Sequence, residues 1–112
     1  MPTPSMAVLN ARLGPCSATF TVRDAEGAPL YGAIVHVRVR YGFLSLKRMD
    51  LEVGTSSEGK AMLVGLPARA RPLAYDIRLG ILGGVAEQDL EQTCDAAFDV
   101  RLRPGGAGDA GS

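Results

Sequence analysis

Ala33-Ile34-Val35-His36-Val37-Arg38-Val39-Arg40-Tyr41 is the stretch from which the fold can be read. In an extended chain successive side chains point to opposite faces, so Val35, Val37, Val39 and Tyr41 share one side and Ile34, His36, Arg38 and Arg40 the other. A helix would space its apolar residues three and four apart; here they stand two apart. β-Branched side chains on one face and charges on the other predict a half-buried strand.

The same period extends in both directions. Upstream, Ala18, Phe20 and Val22 share a face and run into the turn Asp24-Ala25-Glu26-Gly27. Downstream, Met49, Leu51, Val53 and Thr55 alternate with Asp50, Glu52 and Gly54, and the turn Ser56-Ser57-Glu58-Gly59 leads to a fourth strand at 61–64. Leu66-Pro67 closes that strand, because proline has no N–H to give to a ladder. Leu73, Tyr75, Ile77 and Leu79 predict a fifth. Gly80, Gly83 and Gly84 are expected to break or bend the chain ahead of a weak sixth strand over 85–91, and Phe98, Val100 and Leu102 mark the last. Turn residues recur roughly every 8 to 12 positions, as in all-β sandwiches. The Ala-rich stretch 67–71 lies between Pro67 and Pro72 and is too short for a helix.

These elements predict an all-β, antiparallel, seven-stranded β-sandwich over 16–103. Residues 1–15, with Pro2, Pro4, Gly14 and Pro15, are expected to be a flexible segment, from which 6–9 adds at most a short edge strand. Residues 104–112 are expected to form a flexible Gly-rich tail. A chain of 112 residues suits one core. With 46% hydrophobic and 21% charged residues the composition is that of a self-folding domain. Twelve basic residues balance twelve acidic ones, which argues against a nucleic-acid partner. No apolar run approaches the roughly 20 residues of a membrane span, so no membrane insertion is expected. The N-terminal residues lack the basic start and apolar stretch of a secretory signal. Cytoplasmic localisation is therefore favoured, the alternative being an extracytoplasmic piece of a longer precursor.

Residues 20–37, Phe-Thr-Val-Arg-Asp-Ala-Glu-Gly-Ala-Pro-Leu-Tyr-Gly-Ala-Ile-Val-His-Val, combine a strand, an Asp-x-x-Gly turn, Pro-Leu-x-Gly-Ala and a second strand. Thr55-Ser-Ser-Glu-Gly-Lys-Ala-Met-Leu-Val-Gly-Leu-Pro67 then gives Thr-x-x-x-Gly-x-Ala-x-Leu-x-Gly-Leu-Pro. Together these resemble the carboxypeptidase-regulatory-like and collagen-adhesin B-type modules of the transthyretin-like sandwich, an Ig-like Greek key. The resemblance implies a stalk, spacer or adhesion role, no enzyme activity and no cofactor. Some adhesin relatives cross-link a lysine of the first strand. Lys47 and Lys60 do not fall there, so no such bond is expected. Gly27 and Gly59 suit turns needing positive φ, whereas Gly32 and Gly65 suit close backbone approach.

The chemistry-bearing residues are few. His36 is the sole histidine and sits mid-strand without a nucleophile or second ligand in sequence reach, which makes it a solvent-facing or cross-strand-bonded side chain. Cys16 and Cys94 precede the first and last strands. The missing export signal favours two reduced thiols over a bridge between them. Arg38, Arg40, Arg78, Arg101 and Arg103 fall on outward faces, while Glu87, Asp89 and Glu91 share one side of the weak strand. Cross-strand ion pairs are the default for such a face, and a basic face of one copy meeting the acidic strand of another is the alternative.

Two connections are apolar where loops are normally polar: Gly42-Phe43-Leu44-Ser45-Leu46 and Gly80-Ile81-Leu82-Gly83-Gly84. Phe43, Leu44, Leu46, Ile81 and Leu82 either fold onto their own core or meet a protein partner, a further copy or another chain. The weak sixth strand and residues 6–9 are the expected donors or acceptors at a sheet edge. The resulting expectation is a non-catalytic structural or protein-interaction module. The alternative is a carbohydrate- or ligand-binding accessory domain of an exported enzyme, which would need an exposed aromatic platform.

Overall fold

The alternating run from Ile34 to Tyr41 lies inside a five-stranded sheet, with three valines turned inward and fully buried. A computed structural model describes residues 7–105 of the chain. Its strands are β1 (Ala7–Asn10), β2 (Cys16–Arg23), β3 (Ile34–Tyr41), β4 (Lys47–Gly54), β5 (Lys60–Leu66), β6 (Leu73–Leu79), β7 (Leu82–Gln88), β8 (Asp95–Arg101) and β9 (Arg103–Pro104). They form two sheets, ordered β1-β5-β2-β8 and β4-β3-β6-β7-β9. The only helical turn among the described residues is a 3-10 turn at Phe43–Ser45. No helix there is long and apolar enough to cross a membrane.

The architecture is the expected all-β sandwich, with nine strands instead of seven. Of the two extra strands, β1 falls in the expected flexible segment, where the sequence allows a short edge strand over 6–9, and β9 straddles the expected boundary between domain and tail. β1 pairs in parallel with β5 through Ala7↔Ala61 to Asn10↔Val64, so residues 7–10 belong to the sheet. Met6 lies outside the described residues. β9 pairs with β7 through Leu82↔Pro104 and Gly83↔Arg103, extending the domain into the expected tail, of which 106–112 lie outside the described residues. The smaller sheet is also not purely antiparallel, since β2 and β8 run parallel from Ser17↔Asp95 to Arg23↔Arg101. The chain passes through the other sheet between those two strands, and a long crossover is what a parallel pairing requires.

A second correction concerns Gly80 to Gly84. Leu79 pairs with Leu82, leaving Gly80 and Ile81 as a two-residue hairpin turn. Gly83 and Gly84 continue inside β7 and do not break the chain there. Gly84 tolerates no side chain easily: a Cβ would stand 2.9 Å from both Leu102 Cδ2 and Val100 Cγ1, where β7 packs under the chain leaving β8.

The core forms between the sheets from Ala18, Phe20 and Val22 of β2, Val35, Val37 and Val39 of β3, Ala61, Leu63 and Leu66 of β5, and Leu73, Tyr75 and Ile77 of β6. Leu102 adds to it at the β8–β9 junction. Tyr41 and Phe98 are half-buried. Phe20 stacks on Phe98 at 5.3 Å and meets Tyr75 edge-on at 4.7 Å, uniting β2, β8 and β6. Thr55 is buried; its hydroxyl donates to the Leu30 carbonyl at 2.6 Å and accepts from the Ala33 N–H at 2.9 Å, anchoring the long 24–33 connection to the end of β4.

Strand direction distributes the connections between two ends. The antiparallel pairings of β3 with β4 and β6, and of β6 with β7, place 42–46, 67–72 and 89–94 at one end. The connections 24–33, 55–59 and 80–81 lie at the other.

Candidate interaction surface

The β3–β4 hairpin ends at the pair Tyr41↔Lys47, and the five residues beyond it project past the sandwich. Phe43, Leu44 and Leu46 are 80%, 72% and 76% exposed, so the loop does not fold back on its own core. Leu44 adopts φ 55°, ψ 23°, the left-handed region that an L-residue with a Cβ enters at a cost of about 1 to 2 kcal/mol. Strain and exposed apolar area thus coincide in one loop, a combination that folding alone does not require.

The second apolar connection is divided. Ile81 is 79% exposed at the hairpin tip, whereas Leu82 starts β7 and packs partly against the core. Because 42–46 and 80–81 lie at opposite ends of one sheet, the five apolar candidates do not form a single patch.

The arginines part company in the same way. Arg38 Nε donates to Asp50 Oδ1 across β3 and β4 at 3.0 Å, and Arg78 Nε to Asp76 Oδ2 at 3.1 Å. His36 Nε2 stands 3.6 Å from the same Asp50 oxygen. The Arg38 hydrogen bond is the main cause that holds the Asp50 carboxyl below its usual range, aided by the charges of Arg38, His36 and Arg48. His36 is therefore one member of an exposed cross-strand cluster. Arg101 and Arg103 are exposed on the far side, where Arg101 lies beside Arg23, itself 3.4 Å from Asp99. Arg40 faces Arg48 directly, cation against cation. Among the described residues no three His, Cys, Asp or Glu side chains converge to hold a metal ion.

Around the 42–46 loop further cations collect. Arg71 and Pro72 line two adjoining depressions, one shared with Arg38 and Arg40, the other with Tyr41, Gly42 and Arg69. The residues 67–72 predict only that no helix forms there; that Arg71 stands beside Arg40, and Arg69 beside Tyr41 and Gly42, depends on the β5–β6 crossover, which no local pattern encodes. Glu87, Asp89 and Asp95 line a separate depression with Phe98 on the β7–β8 side of the same end.

Cys16 and Cys94 are joined in a disulfide, and no free cysteine remains, which overturns the expectation of reduced thiols. The physical reason is the parallel β2–β8 pairing, which brings Ser17 beside Asp95 and so the preceding cysteines within bonding distance, at Cα–Cα 4.7 Å. The expected edge donors also change. β1 is paired with β5 and β7 with β6, so neither stretch is loose to be donated, but the outer edge of β1 and the part of β7 beyond its two-residue pairing with β9 remain as acceptor edges. The edge strands are β1, β8, β4 and the short β9, together with the part of β7 beyond β9.

No family model matches the sequence, and no curated protein matches it. Solved structures do. The 3-chlorocatechol 1,2-dioxygenase of Rhodococcus opacus 1CP is similar over 93% of this chain and 66% of its own, at 13% identity and TM-score 0.57. The chlorocatechol 1,2-dioxygenase of Pseudomonas putida is similar over 80% and 60%, at 13% identity and TM-score 0.54. Shaft pilin SpaA of Lactobacillus rhamnosus GG is similar over 82% and 47%, at 15% identity and TM-score 0.52. The likeness is one of fold. This chain spans less than two thirds of each of these chains, and a β-sandwich that serves both an enzyme and a pilus shaft fixes no activity.

Proposed function

We propose that the domain is a non-catalytic structural or protein-interaction module of the carboxypeptidase-regulatory-like and collagen-adhesin B-type kind. It docks to protein, another copy or a partner chain, through the 42–46 loop and its open sheet edges. The observation that carries this reading is the exposure of Phe43, Leu44 and Leu46 on a loop strained at Leu44. Three large apolar side chains exposed on one five-residue loop are an unfavourable surface that contact with a protein would bury.

The remaining features support it. His36 is engaged with Asp50 and Arg38 and is paired with no nucleophile. The exposed aromatics Tyr31 and Phe43 stand at opposite ends, so they build no shared platform for a sugar ring. A shaft pilin is among the proteins with this fold, which is consistent with a structural role. The Cys16–Cys94 bridge supports an oxidising compartment and so the extracytoplasmic alternative.

The test is a concentration series by light scattering on the wild type and on Phe43→Ser/Leu44→Ser. Concentration-dependent mass that the double substitution lowers, with the β spectrum unchanged, is the expected result. A wild type that assembles identically to the variant would overturn the role of the loop.

A further inference from the structure

The end of the sandwich that carries 42–46 is divided by charge. On the β4–β3 side stand Arg40, Lys47 and Arg48, with Arg69 and Arg71 from the β5–β6 connection. On the β7–β8 side stand Glu87, Asp89 and Asp95, with Glu91 at the boundary, where it lines one depression with Arg69 and Arg71. Among the described residues none of Arg40, Lys47, Arg69 and Arg71 forms an ion pair, although Arg38, Arg78 and Arg23 all do. Like charges directly opposite on neighbouring strands are destabilising, and Arg40↔Arg48 is such a pair. Asp50 offsets Arg48 and Glu91 stands near Arg69 and Arg71, but the basic half keeps an excess of positive charge, while an acidic group lies across the same face.

We propose that two copies of this chain pair end to end through this face, about a twofold axis that runs from one sheet to the other. The inference rests on the protein-docking function above and names its partner as a second copy. Symmetry selects the axis. A twofold along the in-sheet direction across the strands would lay the basic half of one copy on the basic half of the next. A twofold normal to the sheets exchanges the halves, so that Arg40, Arg69 and Arg71 of each copy meet Glu87, Asp89 and Glu91 of the other twice over. The same operation carries each 42–46 loop toward the other copy's β7–β8 side. The depression there has Ala96, Ala97 and Phe98 along it and Glu87, Asp89 and Asp95 at its rim, which offers apolar contact for Phe43 and acceptors for the arginines. The pairing is closed, because each face is used up by its own mate.

The experiment compares three proteins by sedimentation: wild type, Arg69→Glu/Arg71→Glu and Glu87→Arg/Glu91→Arg. Among the described residues neither Glu87 nor Glu91 uses its carboxylate in a hydrogen bond, unlike Asp89 and Asp95, so their reversal spares the turn. The wild type should reach twice the chain mass and no more, weakening as salt is raised. Each charge reversal alone should weaken pairing by about tenfold or more, and an equimolar mixture of the two variants should restore it, with circular dichroism unchanged throughout. Masses that grow beyond two copies with concentration would overturn the closed geometry. A wild-type dimer indifferent to both reversals would overturn this face while leaving the docking function standing. A wild type monomeric at all concentrations would overturn self-pairing altogether, and the 42–46 loop would then serve another protein or a lipid surface.

Discussion

The phenolic oxygen of Tyr75 donates to Oε1 of Gln88 at 2.6 Å, and the amide on the other side of Gln88 donates to the carbonyls of Thr93, Ser17 and Cys94 at 2.8, 3.2 and 3.3 Å. Gln88 is buried at the end of β7, so one side chain ties the aromatic cluster of the core to the 89–94 turn, the start of β2 and the disulfide. An amide is suited to this because it accepts and donates at once. Gln88→Leu is expected to cost about 2 to 4 kcal/mol, since it removes the partner of the Tyr75 hydroxyl and of the Thr93 and Ser17 carbonyls together, whereas the Cys94 carbonyl keeps the Ser17 N–H. Tyr75→Phe, which orphans only the Gln88 oxygen, should cost less. In a denaturant double-mutant cycle a coupling near zero would show that the two residues do not act as a unit.

The same burial fixes a pH dependence. Burial pushes the Tyr75 hydroxyl well above the ordinary range of a tyrosine. The folded state therefore holds the Tyr75 proton more tightly than the unfolded chain does, and stability must fall as pH rises above the unfolded value. The contribution is intact below about pH 10 and lost progressively above it. Thermal melts between pH 8 and 12 should show a decline that is smaller in Tyr75→Phe; equal declines would remove Tyr75 as the cause.

The bridge between Cys16 and Cys94 spans a sequence separation of 78. Closing so long a loop restricts the unfolded chain and stabilises the fold by about 4 to 5 kcal/mol in the chain-entropy treatment. A thiol reagent should find no reactive group in the unfolded, unreduced protein and two after reduction, and reduction should lower the melting temperature markedly. Two reactive thiols before reduction would refute the pairing.

Leu44 offers a separation of stability from association. Asparagine tolerates the left-handed region better than leucine and removes an exposed apolar side chain. Leu44→Asn should raise stability by about 0.5 to 1 kcal/mol while weakening any assembly that uses the loop. A variant that loses stability would show that Leu44 packs against its own domain.

Gly59 is the position where the turn chemistry is least forgiving. It sits at φ 75°, and a Cβ there would press on the Val22 carbonyl and stand 3.0 Å from the Leu30 N–H. Backbone atoms cannot swing aside as a side chain can, so Gly59→Ala should destabilise by about 2 kcal/mol or more. Gly84→Ala, which meets only the ends of Leu102 and Val100, should cost less. The reverse order in urea unfolding would contradict the packing around β2 and β5.

Strand identity was legible because the period of two is local: each of β2 to β6 could be placed from its own residues, as could the outward face that holds His36, Arg38 and Asp50. The turn glycine at 59 was legible for the same reason, since φ is a property of one residue. Gly32 was misread: it has positive φ and nothing within 4 Å of a Cβ, so it serves conformation and not close approach. What no local pattern could supply is which strands become neighbours. The parallel pairing of β2 with β8 decided the disulfide, the pairing of β7 with β9 drew Arg103 and Pro104 into the larger sheet, and the crossover into β6 set Arg71 beside Arg40. Each depends on residues far apart in the chain that meet only when two sheets close over a shared core, and the energy that selects among such closures is summed over the whole interior rather than written in any one segment.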